Sequence, residues 1–369
     1  MKNRLFSLLF SCLLIFSCLP STKSEALSLS ASSAVLYEPS SETFLCGVNE
    51  DVRRPMASTT KIMTALVAIE NSALDERVSV AAEAVGVEGS SIYLQAGEIV
   101  TMETLLYAVL LQSANDAAAA IACAVGGSID GFADMMNERA RSLGLVNTHF
   151  VNPHGLHDDD HYTTARELAL IAASAMKNPT FREIASTKKK TLTLKNGTVS
   201  RVIFNHNRLL SMYGGTVGVK TGFTKKSGRC LVGAAERDGV FLIAVTLNAP
   251  NDWQDHISLF DYGFSCFANQ TLMEAYSYTA SVPVLRGQKT ELTVTNALPL
   301  EVTLPRGEKA EIVASFDEKT LTAPIKKGTH LGELYAVYRG KRIASSPLIS
   351  CEAVKKEKNR KKFWGSLFD

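Results

Sequence analysis

Three short segments of this 369-residue chain carry residue types that could together perform acyl transfer: Ser58-Thr59-Thr60-Lys61, Ser113-Ala114-Asn115 and Lys220-Thr221-Gly222. A serine hydroxyl is a weak nucleophile until a base takes its proton. Ser58 and Lys61 stand three residues apart, so on a first helical turn their side chains share a face. A lysine serves as that base only if its pKa falls, and a second cation nearby lowers it. Lys220 can supply the cation, so two lysines converging on one serine are chemically coherent. Ser113 offers a second hydroxyl that can relay a proton to a leaving amine. Asn115 can bond both a lysine and a substrate amide, because a carboxamide donates and accepts. Lys220 and Thr221 suit a terminal carboxylate by charge and by hydroxyl bonding. Gly222 lets a backbone approach closely, and the N–H groups of Ser58 and Phe223 are candidates for an oxyanion hole.

No segment is diagnostic alone. S-x-x-K recurs at Ser174–Lys177 and Ser186–Lys189, whereas S-x-N and K-T-G each occur once. Serine is also a common helix cap. Their order and wide separation make the joint signal.

The elements that must hold these residues are legible in outline. Residues 33–37 and 43–46 read as two strands joined by a turn. Ser58 opens a helix, with Ile62, Met63, Ala65, Leu66 and Ile69 at helical spacing. Residues 101–125 are helical but interrupted around 112–116, and residues 129–143 form a helix ended by Gly144. Residues 152–162 are a polar loop, after which Thr164 and Glu167 make a capping-box pattern. Asn196-Gly197 marks a hairpin between residues 192 and 202. Residues 216–219 lead into the lysine motif as a strand at a domain edge, where an extended peptide can pair. Strands 229–236 and 240–247 and a helix over 253–267 close a first domain, residues 27–270. The fold class is α/β (α+β), an antiparallel sheet covered by helices. Residues 271–350 are rich in Val, Thr and Leu with Pro and Gly turns, and read as a small all-β domain.

Composition narrows the function classes. A net charge of +2, with no basic stripe interleaved with aromatics in the body of the chain, argues against a nucleic-acid partner. Residues 1–26 read as a signal peptide: Lys2 and Arg4, an apolar run over 5–19, and a Ser24-Glu25-Ala26 cleavage site. Lipoprotein processing at Cys18 is the alternative. After the signal, Cys46, Cys123, Cys230, Cys266 and Cys351 remain, an odd set at irregular spacing rather than a disulfide framework. Cys123, Cys230 and Cys266 read as buried thiols, and one disulfide outside the cell stays open. His154, His157, Asp158, Asp159, Asp160 and His161 form a cluster that could suggest zinc. They occupy one short loop without an H-E-x-x-H helix, so a solvated loop is expected, with no metal and no cofactor. The tail, residues 351–369, sets Phe363, Trp364, Leu367 and Phe368 beside Lys355, Lys356, Lys358, Arg360, Lys361 and Lys362. That suits contact with an anionic membrane surface.

The motifs and their surroundings resemble the D-alanyl-D-alanine carboxypeptidases among the low-molecular-mass penicillin-binding proteins. The likeness extends through Pro55-Met56-Ala57-Ser58, Leu110-Leu111-Gln112-Ser113, Asn152-Pro153-His154-Gly155, His161-Tyr162-Thr163 and Gly218-Val219-Lys220. Ala114 stands where that family usually has glycine, and some relatives carry histidine where Phe223 stands. The resemblance implies a transpeptidase-like serine domain that removes terminal D-alanine from peptidoglycan stem pentapeptides. It implies Ser58 as nucleophile, Lys61 as proton acceptor, Ser113 as second active-site serine and Lys220 as carboxylate ligand. β-Lactams would acylate Ser58, and the enzyme would work at the outer face of the cytoplasmic membrane or in the wall space.

Two other functions fit parts of the pattern. A class A β-lactamase needs a deacylating glutamate, and Glu138 and Glu167 lie within expected helices instead. A non-catalytic wall-binding protein would leave Ser58 and Lys61 dispensable.

Overall fold

Strand alternation sets the layering. The computed structural model describes residues 27–195 and 197–357; the expected signal peptide, Asn196 and the aromatic end of the tail lie outside them. β1 (Ser33–Glu38) and β2 (Thr43–Val48) form an antiparallel hairpin. Val35 and Tyr37 point to one face and Leu36 to the other, as a two-residue period requires. A 3-10 turn, Ala57–Thr60, leads into α1 (Lys61–Asn71), and β3 (Arg77–Ser79) pairs with β4 (Ile99–Thr101). α2 (Met102–Tyr107) continues as a π-turn, Ala108–Gln112, and the chain breaks at Ser113 before α3 (Asn115–Gly126). α4 (Ile129–Ser142), α5 (Ala165–Lys177) and α6 (Pro179–Ser186) follow, then the hairpin of β5 (Lys189–Leu194) and β6 (Val199–Phe204). After the single turn α7 (Leu209–Met212) come β7 (Thr216–Thr224), β8 (Gly228–Arg237), β9 (Val240–Leu247) and α8 (Asp252–Cys266).

The helices begin where side chains satisfy their first N–H groups. Ser128 accepts from Gly131 N at 2.9 Å, and Asn178 caps α6 ahead of Pro179. Thr164 accepts from Glu167 N at 3.0 Å. The Glu167 carboxylate does not complete the expected box. It accepts from Val146 N and Asn147 N and so pins the loop before the site.

The five-stranded antiparallel sheet has the order β2-β1-β9-β8-β7. Its Val35, Val219, Val232, Ile243 and Val245 face a core shared with α1, α3 and α5. Leu36, Leu231 and Leu242 face α8 through Leu259 and Phe260. The sheet is thus a middle layer between helices, and β7 is an outermost strand.

A separate core builds the C-terminal part. β10 (Phe267–Met273) starts directly from α8 and pairs with a later strand, Leu300–Pro305. β11 (Ala280–Leu285), β12 (Glu291–Asn296), β13 (Leu300–Pro305), β14 (Glu311–Phe316), β15 (Leu321–Thr322), β16 (His330–Tyr338) and β17 (Lys341–Ser350) complete it. Leu292, Leu300, Leu304, Leu334 and Leu348 fill its interior. Residues 351–357, read from sequence as tail, bond into this body: Cys351 N to Thr293 O, Val354 with Ile325, and Glu357 N to Arg286 O. Basic composition suggested a tail there, but backbone pairing places these residues at a sheet edge. Cys230 is buried as expected, whereas Cys123 and Cys266 are half-buried.

Candidate active site

The turn that carries Ser58 is held from beneath. Thr59 Oγ1 donates to Met56 O at 2.6 Å, and Thr60 Oγ1 to Ala57 O at 2.7 Å. Ala57 has φ +47°, a left-handed conformation uncommon for a residue with a side chain. Gly155, at φ +84°, packs so closely that a Cβ would lie 2.0 Å from Ala57 O. Only glycine fits there, and its loop therefore fixes the entry to α1. Ser58 itself is half-buried, reachable from solvent.

Lys61 is fully buried, with Nζ 2.6 Å from His154 O, 2.7 Å from Asn115 Oδ1 and 3.1 Å from Ser58 Oγ. Burial first, and the Lys220 charge second, hold its pKa well below the ordinary lysine value, against the opposing pull of Asp116. Desolvation thus outweighs the second cation that sequence reasoning invoked. A neutral amine has two N–H bonds and one lone pair. His154 O and Asn115 Oδ1 can only accept, so they take the two N–H groups. The lone pair then faces Ser58 Oγ.

Asn115 is fixed in that orientation because its Nδ2 donates to Glu88 O and its backbone N to Ser90 O. Asp116 holds the same 88–95 loop, accepting from Ser91 Oγ, Ile92 N and Leu94 N. Ser113 sits in the break between the π-turn and α3, at φ +61°, buried. Among the described residues its hydroxyl has no recorded bond to either lysine.

Lys220 lies on β7, fully buried, with Nζ 2.9 Å from Thr221 O. Burial pushes its pKa down to about 7. A Cβ on Gly222 would lie 3.0 Å from Ser58 N. β7 therefore passes directly beside the serine turn. Thr221 is half-buried, and Phe223 is 65% exposed at the rim. Burial first, and the Lys220 charge second, lower the pKa of His206, whose backbone N–H donates to Leu111 O. Of the eight residues singled out from sequence, Ser58, Lys61, Asn115 and Gly222 meet at the serine turn and the Lys220 charge reaches Lys61; Thr221 and Phe223 follow on β7, and Ser113 lies two residues before Asn115.

The 152–161 loop is solvated only in part: residues 157–160 are exposed, as expected from their polarity, whereas Asn152, Pro153, Gly155 and His161 are buried. Thr64 Oγ1 donates to Pro153 O at 2.6 Å, and Asn152 Oδ1 accepts from Gly155 N at 2.7 Å. His161 is buried, and its Nε2 lies 2.7 Å from Thr60 Oγ1. That hydroxyl already donates to Ala57 O, so His161 donates through Nε2, and its Nδ1 accepts from Val151 N at 3.1 Å. Burial lowers His161 to about 4 and His154 to about 3, so both are neutral at neutral pH. Among the described residues no group of His, Cys, Asp or Glu is arranged to hold a metal. Sequence reasoning noted Asn152-Pro153-His154-Gly155 and His161-Tyr162-Thr163 in the family likeness but gave the loop no role under the serine turn.

Residues 20–251 match the D-alanyl-D-alanine carboxypeptidase family, and residues 267–356 match the C-terminal domain of penicillin-binding protein 5. The chain belongs to the D-alanyl-D-alanine carboxypeptidase family. It is 32% identical over 338 residues to the D-alanyl-D-alanine carboxypeptidase DacF of Bacillus subtilis (strain 168), covering 88% of this chain and 86% of that one. Over 362 residues it is 33% identical to the D-alanyl-D-alanine carboxypeptidase DacC of Escherichia coli (strain K12), with 94% and 88% covered. The solved penicillin binding protein 5 from Haemophilus influenzae superposes with a TM-score of 0.65 at 28% identity, over 89% of this chain and 98% of that one. The carboxypeptidase is a serine-type hydrolase of low-molecular-mass penicillin-binding type, working through a serine acyl-enzyme. It takes a peptidoglycan peptide and binds β-lactams, and the penicillin-binding proteins it is similar to act on peptidoglycan outside the cytoplasm.

Proposed function

We propose that Ser58 forms the acyl-enzyme, with Lys61 as its base and Lys220 as the anchor for the substrate carboxylate. The observation that carries this reading is the placement of buried Lys61 Nζ 3.1 Å from Ser58 Oγ, with His154 O and Asn115 Oδ1 as acceptors beside it; in the neutral amine these two take the N–H groups and the lone pair is left for Ser58. Ser58 Oγ attacks the carbonyl between the two D-alanines while its proton passes to Lys61 Nζ. The N–H groups of Ser58 and Phe223 take the developing oxyanion. Ser113 passes a proton to the leaving D-alanine, whose carboxylate rests against Lys220 and Thr221, while Gly222 keeps β7 close to Ser58. Water then hydrolyses the ester. The test is D-alanine release from an acyl-Lys-D-Ala-D-Ala peptide: full release by the native enzyme, and none by Ser58→Ala. Release that survives Ser58→Ala would refute the assignment.

The β-lactamase reading finds less support. The Glu167 carboxylate is bound by two backbone N–H groups and Thr148, and Glu138 is exposed on α4.

We further propose that the residues up to the end of α8, 27–266, act as the catalytic domain, that residues 267–357, from β10 on, form a spacer, and that the basic aromatic tail rests on the outer face of the cytoplasmic membrane. Because residues 355–357 bond to the β domain, the informative truncation removes residues 358–369. It should move the enzyme to the soluble fraction with activity intact; unchanged membrane association refutes the anchor.

A further inference from the structure

Two thiols border one apolar cluster on the sheet face that packs on α8. In β2, Cys46 lies opposite Leu36 of β1, so their side chains share a face. That face looks at α8, where a Cβ on Gly263 would come within 2.8 Å of Leu36 Cδ2. Cys266 follows Gly263 by three residues on the same helix, one turn along and on the same side. Cys46 and Cys266 accordingly pack on a single cluster with Leu36, Leu45 and Phe260. Both are half-buried, so an external reagent reaches them. The two also sense each other electrostatically: burial first, and Cys266 second, push the Cys46 thiol up to about 11. Cys123, Cys230 and Cys351 lie elsewhere, on α3, on β8 and beyond β17.

We propose that Cys46 and Cys266 form a disulfide outside the cytoplasm, tying the edge hairpin to the end of α8. The oxidant is an external disulfide. The Cys266 thiolate attacks one of its sulfurs and displaces a first thiolate, which takes up the proton that Cys266 released. The Cys46 thiolate then attacks Cys266 Sγ, breaking the mixed S–S bond, and the second displaced thiolate takes up the Cys46 proton. Two protein thiols are oxidised and one external disulfide becomes two thiols. Because Cys46 ionises late, ring closure is the slower step and quickens as pH rises.

The bond closes a loop spanning most of the first domain, which restricts the unfolded chain. The test uses the full chain, reduced and then titrated with oxidised glutathione, followed by peptide mapping without reductant. The expected result is a cross-linked pair of Cys46 and Cys266 peptides, absent from Cys46→Val and from Cys266→Leu. Oxidation should raise the thermal midpoint of the native chain by about 5 °C and leave both variants unmoved. The proposal is overturned if the two cysteines end as separate glutathione adducts in excess oxidant, or if either pairs with Cys123, Cys230 or Cys351. The two apolar variants fill the same space without a thiol, so a folding failure in one leaves the other as the control.

Discussion

Lys61→Met separates catalysis from stability. Methionine keeps an unbranched side chain of similar length, so the buried stem of Lys61 is replaced without a large cavity. Loss of the amine leaves His154 O and Asn115 Oδ1 without their donor, at about 1–3 kcal/mol for each unpaired acceptor. Against that, the variant no longer has to take an ionisable amine out of water, which costs up to several kcal/mol for a buried charge. The two effects are of similar size, so the thermal midpoint should move by no more than about 5 °C. Chemistry has no such offset. At pH 7.5 a lysine of ordinary pKa holds only about one free amine in a thousand molecules, and burial of Lys61 raises that fraction by lowering its pKa. Removing the base should cost about 10²–10⁴ in the acylation rate. The assay is stopped-flow acylation by a fluorescent penicillin, with thermal unfolding in parallel. The native rate should rise with pH through the lowered pKa of Lys61, and the residual rate of the variant should follow hydroxide. A folded Lys61→Met enzyme that acylates within tenfold of the native rate refutes the assignment of the base.

Three further outcomes follow from the same geometry. Lys220→Gln removes the cation that helps lower Lys61, so the acid limb of kcat/KM should move to higher pH, and kcat/KM should fall about 10–100-fold for want of a charged carboxylate partner; an unmoved limb in the pH profile counts against the coupling. His161 and His256 are buried with pKa values lowered to about 4 and about 3, so the stability they contribute is present above pH 6.5 and lost as pH falls from there towards those values. Urea unfolding should show a loss of about 2 kcal/mol for each between pH 7.5 and 5.0, and His256→Phe should flatten that slope; an unchanged slope in the variant contradicts it. Gly155→Ala should destabilise by about 2–4 kcal/mol and slow acylation at least tenfold, because its Cβ meets Ala57 O beside Ser58; native unfolding and acylation in that variant would show that the loop does not set the serine turn.

The sequence made the meeting of Ser58, Lys61, Asn115 and Lys220 legible because each motif is short and its chemistry local. The sheet strands were legible because Val35, Leu36 and Tyr37 divide cleanly between two faces. The loop under the serine was not. Its residues are polar, and polarity alone cannot distinguish a solvated loop from one whose groups bond inward, as Asn152, His161 and Pro153 do with their neighbours. The pKa of Lys61 was also read incompletely. A second lysine is visible in a sequence, whereas the depth of burial, which matters more, is a property of packing. The Thr164–Glu167 pattern found its cap but not its return bond, since two backbone groups of the preceding loop claimed the carboxylate. Residues 351–357 were read by charge, but their place was decided by backbone pairing.

The position of β7 at the end of its sheet carries a cost in solubility. An outermost strand offers its unpaired N–H and C=O groups to any extended chain, including another copy of itself. On the proposed mechanism this row stays uncovered, because the substrate peptide would reach Ser58 along it. Lys225 and Lys226, both exposed at the turn that follows the strand, bring like charges to any edge-to-edge approach of two molecules. On that mechanism the edge stays open to a small peptide while the two lysines oppose pairing with a second copy, so substrate access and resistance to aggregation would be set by the same few residues.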